Sequence, residues 1–178
     1  MNKPDGVVLH FRNVTELSEA DLSKILSIRN ESPVRNNMYT SHQIGVDEHK
    51  SWADGLRSSP DRKFFSVEHE GSIVGAAGLS AINLAHKRAD WAFYISQAVQ
   101  GRGIGSALEQ QFLDLVFSTF DIEKLNCEVI EFNEKVIAMH ERFGFRREGF
   151  RRDHVIRDGR KYGAVLLGIT KAEWESRK

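Results

Sequence analysis

The chain has 178 residues, of which 40% are hydrophobic and 28% are charged, and it carries 25 basic and 25 acidic side chains. These values are typical of one globular domain with a sizeable core, and the balanced charge argues against a partner that is nucleic acid. The single cysteine, Cys127, excludes an intramolecular disulfide and suits a reducing cytoplasm. No run approaches the roughly 20 apolar residues of a membrane span, and residues 1–6 lack the apolar stretch of a signal peptide. We therefore expect one cytoplasmic domain over residues 1–178, with no membrane partner.

The first third of the chain predicts one strand and two helices. Alternation favours a strand over 7–13, and apolar residues at helical spacing favour a helix over 19–29. Pro33 argues against continuing that helix, and residues 34–46 are predicted to be irregular. Asp47 is expected to cap a second helix that ends before Pro60.

The periodicity then changes from helical to alternating. Strands are predicted over 63–70, 72–80 and 89–95, followed by a helix over 103–120, a strand over 124–130 and a helix over 133–143 that Gly144 caps. Two more strands, 145–156 and 161–170, flank a turn at Asp158-Gly159. This order predicts an α+β or α/β layered fold in which helices pack on a mixed sheet.

A glycine-rich segment, Gln100-Gly101-Arg102-Gly103-Ile104-Gly105, joins a predicted strand to a predicted helix. Glycines let backbone amides converge, and a helix N-terminus favours anions. The amides from Arg102 to Ser106 and the Arg102 side chain can therefore bind phosphate oxygens, although a simple strand-to-helix turn has the same pattern. A P-loop needs Gly-Lys-Ser/Thr, and a dinucleotide fingerprint needs glycine where Ser106 stands.

This loop and a second segment resemble the GNAT family of acetyl-CoA-dependent N-acetyltransferases. The pattern Gln/Arg-x-x-Gly-x-Gly/Ala is met by Gln100, Gly103 and Gly105, and a later pattern is met by Asn133 and Gly144-Phe145. His140 stands where that later pattern often has tyrosine. The resemblance covers nearly the whole chain and implies a mixed, mostly antiparallel sheet of about seven strands with helices on both faces. It also implies acetyl-CoA as cosubstrate and no metal.

The resemblance further implies roles for individual residues. The backbone of Phe93, Tyr94 and Ile95 would pair with the pantetheine amides, and the pyrophosphate would lie on the loop formed by Gln100, Gly101, Arg102, Gly103, Ile104, Gly105 and Ser106. Asn133 would bond the pantetheine arm, cap its own helix, or do both. His140 would protonate the departing thiolate in place of the tyrosine, or merely pack on the sheet. Alternation turns Tyr94 toward the acceptor.

An amine acceptor must lose a proton before it attacks a thioester, so a base is expected near the site. Glu128 lies on the strand before Asn133, and alternation places it on the face opposite Cys127. We expect Glu128 to act as the base or to order a water, although a solvated side chain is the simpler alternative. An acetyl-cysteine intermediate on Cys127 is not expected.

The front half of the chain resembles a GNAT subgroup of pseudaminic acid biosynthesis that acts on a UDP-linked 4-amino-4,6-dideoxy sugar. The matching residues are Arg29-Asn30, Met38-Tyr39 and Glu48-His49. The resemblance implies that Arg29, Met38 and Tyr39 contact the nucleotide and that His49 contacts its phosphates. Otherwise Arg29 is a cation that suits a helix C-terminus, and Met38 and Tyr39 simply pack under a loop.

Other acceptors and roles stay open. A GNAT enzyme can act on protein N-termini, as ribosomal-protein acetyltransferases do, or on polyamines, and a GNAT-like fold can bind coenzyme A without catalysis. We expect five arginines near the last strands to form a solvated face: Arg142, Arg146, Arg147, Arg151 and Arg152. An exposed sheet edge is compatible with a homodimer.

Overall fold

The computed structural model describes residues 6–177, which form a single layered α+β fold. Its strands are β1 (His10–Asn13), β2 (Lys63–His69), β3 (Ser72–Asn83), β4 (Arg88–Ile95), β5 (Lys124–Ile130), β6 (Arg146–Arg157) and β7 (Arg160–Thr170). Its helices are α1 (Glu19–Arg29), α2 (Ser32–Arg35), α3 (Val46–Arg57), α4 (Ile104–Thr119), α5 (Glu134–Arg142) and α6 (Lys171–Glu175). Among these residues, no helix is both long and apolar enough to cross a lipid bilayer.

The strands form one sheet in the order β1-β2-β3-β4-β5-β7-β6. All neighbouring strands are antiparallel except β4 and β5, which are parallel because α4 carries the chain back across the sheet. The β4–β5 pairing runs only from Arg88 opposite Lys124 to Asp90 opposite Asn126. Beyond Asp90 the two strands part, which leaves a gap inside an otherwise continuous sheet. The predicted mixed, mostly antiparallel sheet is confirmed.

Two apolar clusters hold helices on opposite faces of the sheet. On one face, Ile25 and Ile28 of α1 and Leu56 of α3 pack on Ala76 of β3. On the other face, α4 and α5 cover the apolar side chains of β4, β5 and β7, with Phe112 of α4 fully buried at the centre. The gap between β4 and β5 therefore has a helical layer on each side.

The structure corrects several predicted boundaries. The first strand begins at His10 rather than residue 7, and a short helix, α2, occupies part of the segment predicted to be irregular. Pro33 lies in the first turn of α2, where its missing N–H costs nothing. Gly45 rather than Asp47 occupies the N-cap of α3. The short helix α6, whose Thr170 and Glu173 form a capping box, was not predicted.

The predicted cap at Gly144 is confirmed, and its geometry matters for the site. Gly144 has a φ of 99°, a left-handed conformation that glycine adopts easily. The Gly144 amide donates to the Glu141 carbonyl and the Phe145 amide donates to the His140 carbonyl, both at 3.0 Å, which is the Schellman pattern. The turn brings the Phe145 ring to 5.1 Å from the His140 ring.

Candidate active site

A cavity of about 500 Å³ fills the gap between β4 and β5. The segment Trp91–Ile95 forms one wall and Cys127–Ile130 forms the other, and Gln100, Asn133 and His140 close one end. The predicted cofactor residues Phe93, Tyr94 and Ile95 thus lie along an unpaired strand edge. Such an edge can bind the amides of an extended ligand as a further strand would.

The loop at the start of α4 leads into a first helical turn whose backbone amides have no partner in the helix. Gly101 and Gly103 have φ values of 77° and 80°, and the first helical hydrogen bond runs from the Ala107 amide to the Gly103 carbonyl at 3.0 Å. No side chain of the described residues caps this helix, so the amides of Ile104, Gly105 and Ser106 have no partner in the helix itself. These amides can bind a pyrophosphate.

Two glycines of this loop, Gly101 and Gly103, have a backbone conformation that other residues rarely adopt. A Cβ added at Gly101 or Gly103 would meet no atom of the described chain within 4 Å, and one at Gly105 would make ordinary contacts at 3.7 Å with Ile95 and Met139. These distances concern the chain alone, so the expectation that the glycines let backbone amides converge on a ligand stays a prediction. The positive φ of Gly101 and Gly103 is the constraint that excludes other residues.

One of the arginines predicted to be solvated lies beside this loop. The Arg142 guanidinium, on α5, donates to Ser106 Oγ at 3.3 Å, which places a positive charge at the N-terminus of α4. The exposed Arg102 side chain is on the loop itself. Both charges can attract the phosphates of a nucleotide-bearing ligand.

Asn133 precedes α5 and lines the cavity together with Gln100. Its side chain makes no capping hydrogen bond to α5 within the part of the chain that the structure describes. Of the two roles expected for Asn133, capping is therefore not realised, and its amide group remains near the cavity.

His140 lies on the last turn of α5, lines the cavity and is 2% exposed. Its Nδ1 is 2.8 Å from Oε1 of Glu109, a carboxylate on α4 that is fully buried. The rings of Trp91 and Phe93 contact the imidazole edge-on at 5.4 and 6.0 Å. His140 thus borders the cavity, its role as a proton donor stays a prediction, and Glu109 is a contact that was not predicted. A charge three residues before the buried Phe112 was the available signal.

Glu128 of β5 lies on the opposite wall and contacts both the segment that contains Tyr39 and strand β6. The Tyr39 hydroxyl donates to its Oε2 at 2.8 Å, and the Arg151 guanidinium of β6 donates to its Oε1. His154 Nε2 is 3.5 Å from the same carboxylate. Burial, followed by the bond to Glu128, raises the pKa of Tyr39. Arg151, which was predicted to be solvated, therefore contributes to this wall.

Comparison with known proteins identifies the family. Residues 14–166 match the profile described as an acetyltransferase (GNAT) domain. The chain belongs to the GNAT acetyltransferase family. It is 27% identical over 148 residues to the uncharacterized N-acetyltransferase YokL of Bacillus subtilis, covering 82% of each chain. It is 22% identical over 162 residues to a spermidine N(1)-acetyltransferase of Vibrio cholerae, covering 90% of this chain and 94% of that one.

The fold of this GNAT domain is shared with solved structures. The crystal structure of spermidine N-acetyltransferase from Vibrio cholerae in complex with CoA and spermine superposes with a TM-score of 0.86 at 23% identity. That superposition covers 94% of this chain and 98% of the other. Within residues 6–177, no group of three or more metal-binding side chains is placed to hold a metal ion.

Arg29 and Met38 of this GNAT domain line both the main cavity and a second cavity of about 300 Å³. The Arg29 guanidinium donates through Nη2 to Thr40 Oγ1 at 3.3 Å, whereas its Nη1 is buried and has no hydrogen-bond partner among the described residues. Burial lowers the pKa of Arg29. Tyr94 packs on this face of the sheet, as alternation predicts, and burial raises its pKa.

The GNAT domain uses His49 to join two helices. Its Nε2 is 3.1 Å from the Leu22 carbonyl of α1, and its ring stacks on Trp52 at 5.0 Å. Burial is the main cause of its lowered pKa, so the neutral ring that donates to Leu22 is favoured. Because Nε2 of His49 is already bonded within the protein, this nitrogen is not free to donate to a diphosphate, as the expected phosphate contact would require.

Asp90, which was not predicted, also lines the main cavity of the GNAT cleft. Its Oδ1 accepts a hydrogen bond of 3.1 Å from Asn126 at the last paired position of β4 and β5. The main cavity is thus lined by the carboxylates Asp90 and Glu128 and by the Arg29 guanidinium, and Arg151 bonds Glu128.

Proposed function

We propose that this chain transfers the acetyl group of acetyl-CoA directly to a primary amine of a small molecule. The observation that carries the proposal is the cavity between β4 and β5, which is lined by Gln100, at the start of the glycine-rich loop, and by the Glu128 carboxylate on its far wall. Acetyl-CoA supplies an activated acyl group as a thioester. The residues of the chain bind it, orient it and move protons.

The residues around the loop fit coenzyme A. The amides of Ile104 to Ser106, together with the side chains of Arg102 and Arg142, would bind the pyrophosphate. The free edge of Phe93–Ile95 would pair with the pantetheine amides, and Asn133 and Gln100 would flank the arm. A backbone amide of this edge can also polarise the acetyl carbonyl, a contribution of a few kcal/mol in other enzymes.

The state of Cys127 supports direct attack. The thiol is buried, and burial, followed by the nearby Glu109 and Asp90 carboxylates, raises its pKa well above the ordinary value. A thiol rather than a thiolate is a poor nucleophile. The amine is therefore proposed to attack the acetyl carbonyl itself. Glu128 accepts or relays the amine proton, and Tyr39 and Arg151 hold its carboxylate in place.

A polyamine is the first acceptor that we propose. The relatives named for spermidine support it, as does an acceptor side that combines carboxylates with aromatic walls. Asp90 and Glu128 can attract ammonium groups, and Tyr94, Trp52 and Phe64 around the second cavity suit methylene chains and cations.

A UDP-linked 4-amino sugar is the second candidate, and a single observation favours it. Arg29 lies between the two cavities with its Nη1 buried and unbonded among residues 6–177. A buried guanidinium repels a polycation, and it binds a phosphate or a uracil carbonyl well. Met38 lies next to it and can contact a flat base.

The experiment compares coenzyme A release from acetyl-CoA with spermidine, a UDP-4-amino-4,6-dideoxy sugar and an N-terminal peptide as acceptors. The variant Arg29→Gln separates the first two, because it should raise kcat/KM for spermidine and lower kcat/KM for the sugar. Lys24→Gln, on the exposed side of the same helix, is the matched control and should change neither. Binding of acetyl-CoA without turnover of any amine would instead support a non-catalytic coenzyme A module.

A further inference from the structure

Glu109 and His140 form a buried hydrogen-bonding contact. The carboxylate is fully buried, the imidazole is 2% exposed, and Oε1 lies 2.8 Å from Nδ1. Neither residue belongs to the loop that is proposed to bind the phosphates, yet His140 also lines the main cavity. The pair therefore connects the core beneath α4 with the reaction site.

A buried carboxylate is costly unless a partner compensates for its desolvation. Glu109 lies on the buried face of α4, among side chains such as Leu108 and Phe112, where a leucine would pack without that cost. His140 is its only hydrogen-bonded side chain among the described residues, and its second oxygen, Oε2, is buried without a partner. Among the described residues, the Glu109 carboxylate therefore has the His140 imidazole as its one side-chain partner.

The two nitrogens of the His140 imidazole lie in different surroundings. Nδ1 faces Glu109, so Nε2, on the far side of the ring, is directed away from the carboxylate. Nε2 makes no hydrogen bond within the described chain, and the residue borders the cavity. Trp91, Phe93 and Phe145 surround the ring at 5.1 to 6.0 Å and limit its rotation.

We propose that Glu109 is a positioning residue for acetyl transfer, which acts by holding His140 as the proton donor to the leaving sulfur. This proposal rests on the proposed acetyltransferase function. The carboxylate accepts from Nδ1–H, which fixes the tautomer and the direction of Nε2. It also compensates for the charge of the imidazolium, so that a cation can form in an apolar site.

The neutral amine nitrogen forms a bond to the acetyl carbonyl carbon, and the bond from that carbon to sulfur breaks, with the electron pair leaving on sulfur. The nitrogen, which is cationic after attack, gives one proton to the Glu128 carboxylate or through it to water, and the amide results. Nε2–H of the His140 imidazolium gives its proton to the thiolate. The imidazole that remains keeps Nδ1–H toward Glu109, and Nε2 takes up a proton from solvent before the next turnover.

The first test measures the tautomer of His140 and does not depend on turnover. Protein labelled with ¹⁵N-histidine is compared with Glu109→Gln and Glu109→Leu at a pH where the ring is neutral, and His140→Phe assigns the signal. We expect the wild-type spectrum to show the tautomer protonated at Nδ1, and Glu109→Leu to lose that preference. A His140 tautomer that is the same with and without the carboxylate would overturn the proposal.

The second test is a double-mutant cycle on kcat. His140→Phe should lower kcat by about 100-fold, and Glu109→Gln, which keeps the size and one acceptor oxygen, by about 10-fold or more. Adding Glu109→Gln to His140→Phe should cause no further loss, and the affinity for acetyl-CoA should stay within about 2-fold throughout. Additive losses would show that Glu109 is merely structural. The control Glu141→Gln, an exposed carboxylate next to His140, should leave kcat unchanged.

A double variant that replaces both residues with apolar ones keeps the proposal testable if a single variant misfolds. Glu109→Leu with His140→Phe removes the buried pair entirely, so it should fold and turn over as slowly as His140→Phe alone. A double variant that is faster than His140→Phe would overturn the proposal. Failure of every wild-type acceptor assay would remove the proposed function, whereas the tautomer spectra would still decide whether Glu109 orients His140.

Discussion

Replacing Gly103 with alanine should cost the protein about 1–2 kcal/mol, which is the ordinary penalty for a left-handed conformation in a residue with a Cβ. Gly103 has a φ of 80°, and an added Cβ would meet no described atom within 4 Å. The cost is therefore conformational and contains no steric part. Gly103 is the N-cap of α4, so its conformation sets the direction of the backbone amides that are proposed to bind acetyl-CoA. The same substitution can therefore change the affinity for acetyl-CoA.

The penalty can be measured in either of two quantities. If alanine keeps the positive φ in the free protein, the free energy of unfolding falls by that amount and the affinity for acetyl-CoA is unchanged. If the free loop relaxes instead, stability is unchanged and the affinity falls by roughly 5- to 30-fold. The sum of the losses in unfolding and binding free energy should equal about 1–2 kcal/mol in both cases.

Gly105→Ala is the matched control within the same loop. A Cβ at Gly105 would make ordinary contacts at 3.7 Å with Ile95 and Met139, and the position lies inside α4 without a positive φ. Alanine favours a helix over glycine, so stability should stay the same or rise and affinity should not change. Urea unfolding and calorimetric titration with acetyl-CoA measure both quantities.

Two results would refute this reasoning about Gly103. The first is a summed loss below about 0.5 kcal/mol, the ordinary range for surface substitutions. The second is a loss in Gly105→Ala as large as that in Gly103→Ala, because it would mean that any side chain in the loop is harmful and that φ is not the cause.

Three further predictions concern Tyr39, Cys127 and His49. Tyr39→Phe removes the hydroxyl that donates to Glu128, a bond worth about 1 kcal/mol, so kcat/KM for the amine should fall several-fold while the affinity for acetyl-CoA, measured by titration, is unchanged. Cys127→Ala should keep turnover within about 3-fold of the wild type, because no acetyl-cysteine forms; abolished turnover in a folded variant would contradict direct attack. The lowered pKa of His49 means that the unfolded ring binds a proton at a higher pH than the folded ring, so stability falls as the pH drops below the ordinary histidine range. His49→Phe should reduce that loss in urea unfolding at pH 7 and pH 5, and equal losses in both proteins would count against it.

The periodic segments of the sequence predicted most of the sheet and the long helices. Alternation and helical spacing report directly which side of an element is buried, so β5 was predicted with its observed bounds, Lys124–Ile130. The misses were short elements. Helix α2 has four residues, too few for a periodic pattern, and Pro33 was taken as a helix stop although it also suits a first turn.

The candidate site was predictable only where its residues are close in sequence. The loop 100–106 and the segment from Asn133 to Phe145 were predicted from their resemblance to GNAT patterns, whereas contacts between distant segments were not predicted. Tyr39 bonds Glu128 across 89 positions and His140 pairs with Glu109 across 31. Such pairs depend on how α4 and the acceptor segment pack on the sheet. The exception is Glu109, whose charge on an apolar helix face was visible in the sequence.

The parting of β4 and β5 after Asp90 has a consequence for hydrogen exchange in the free protein. Alternate residues of Trp91–Ile95 bond to β3, and the residues between them direct their amides into the gap. One strand should therefore show a regular alternation of slowly and rapidly exchanging amides, although every residue in it lies in the middle of a sheet. Occupation of the cleft should slow the rapid set alone, which makes this strand an internal reporter of binding that needs no assay of turnover.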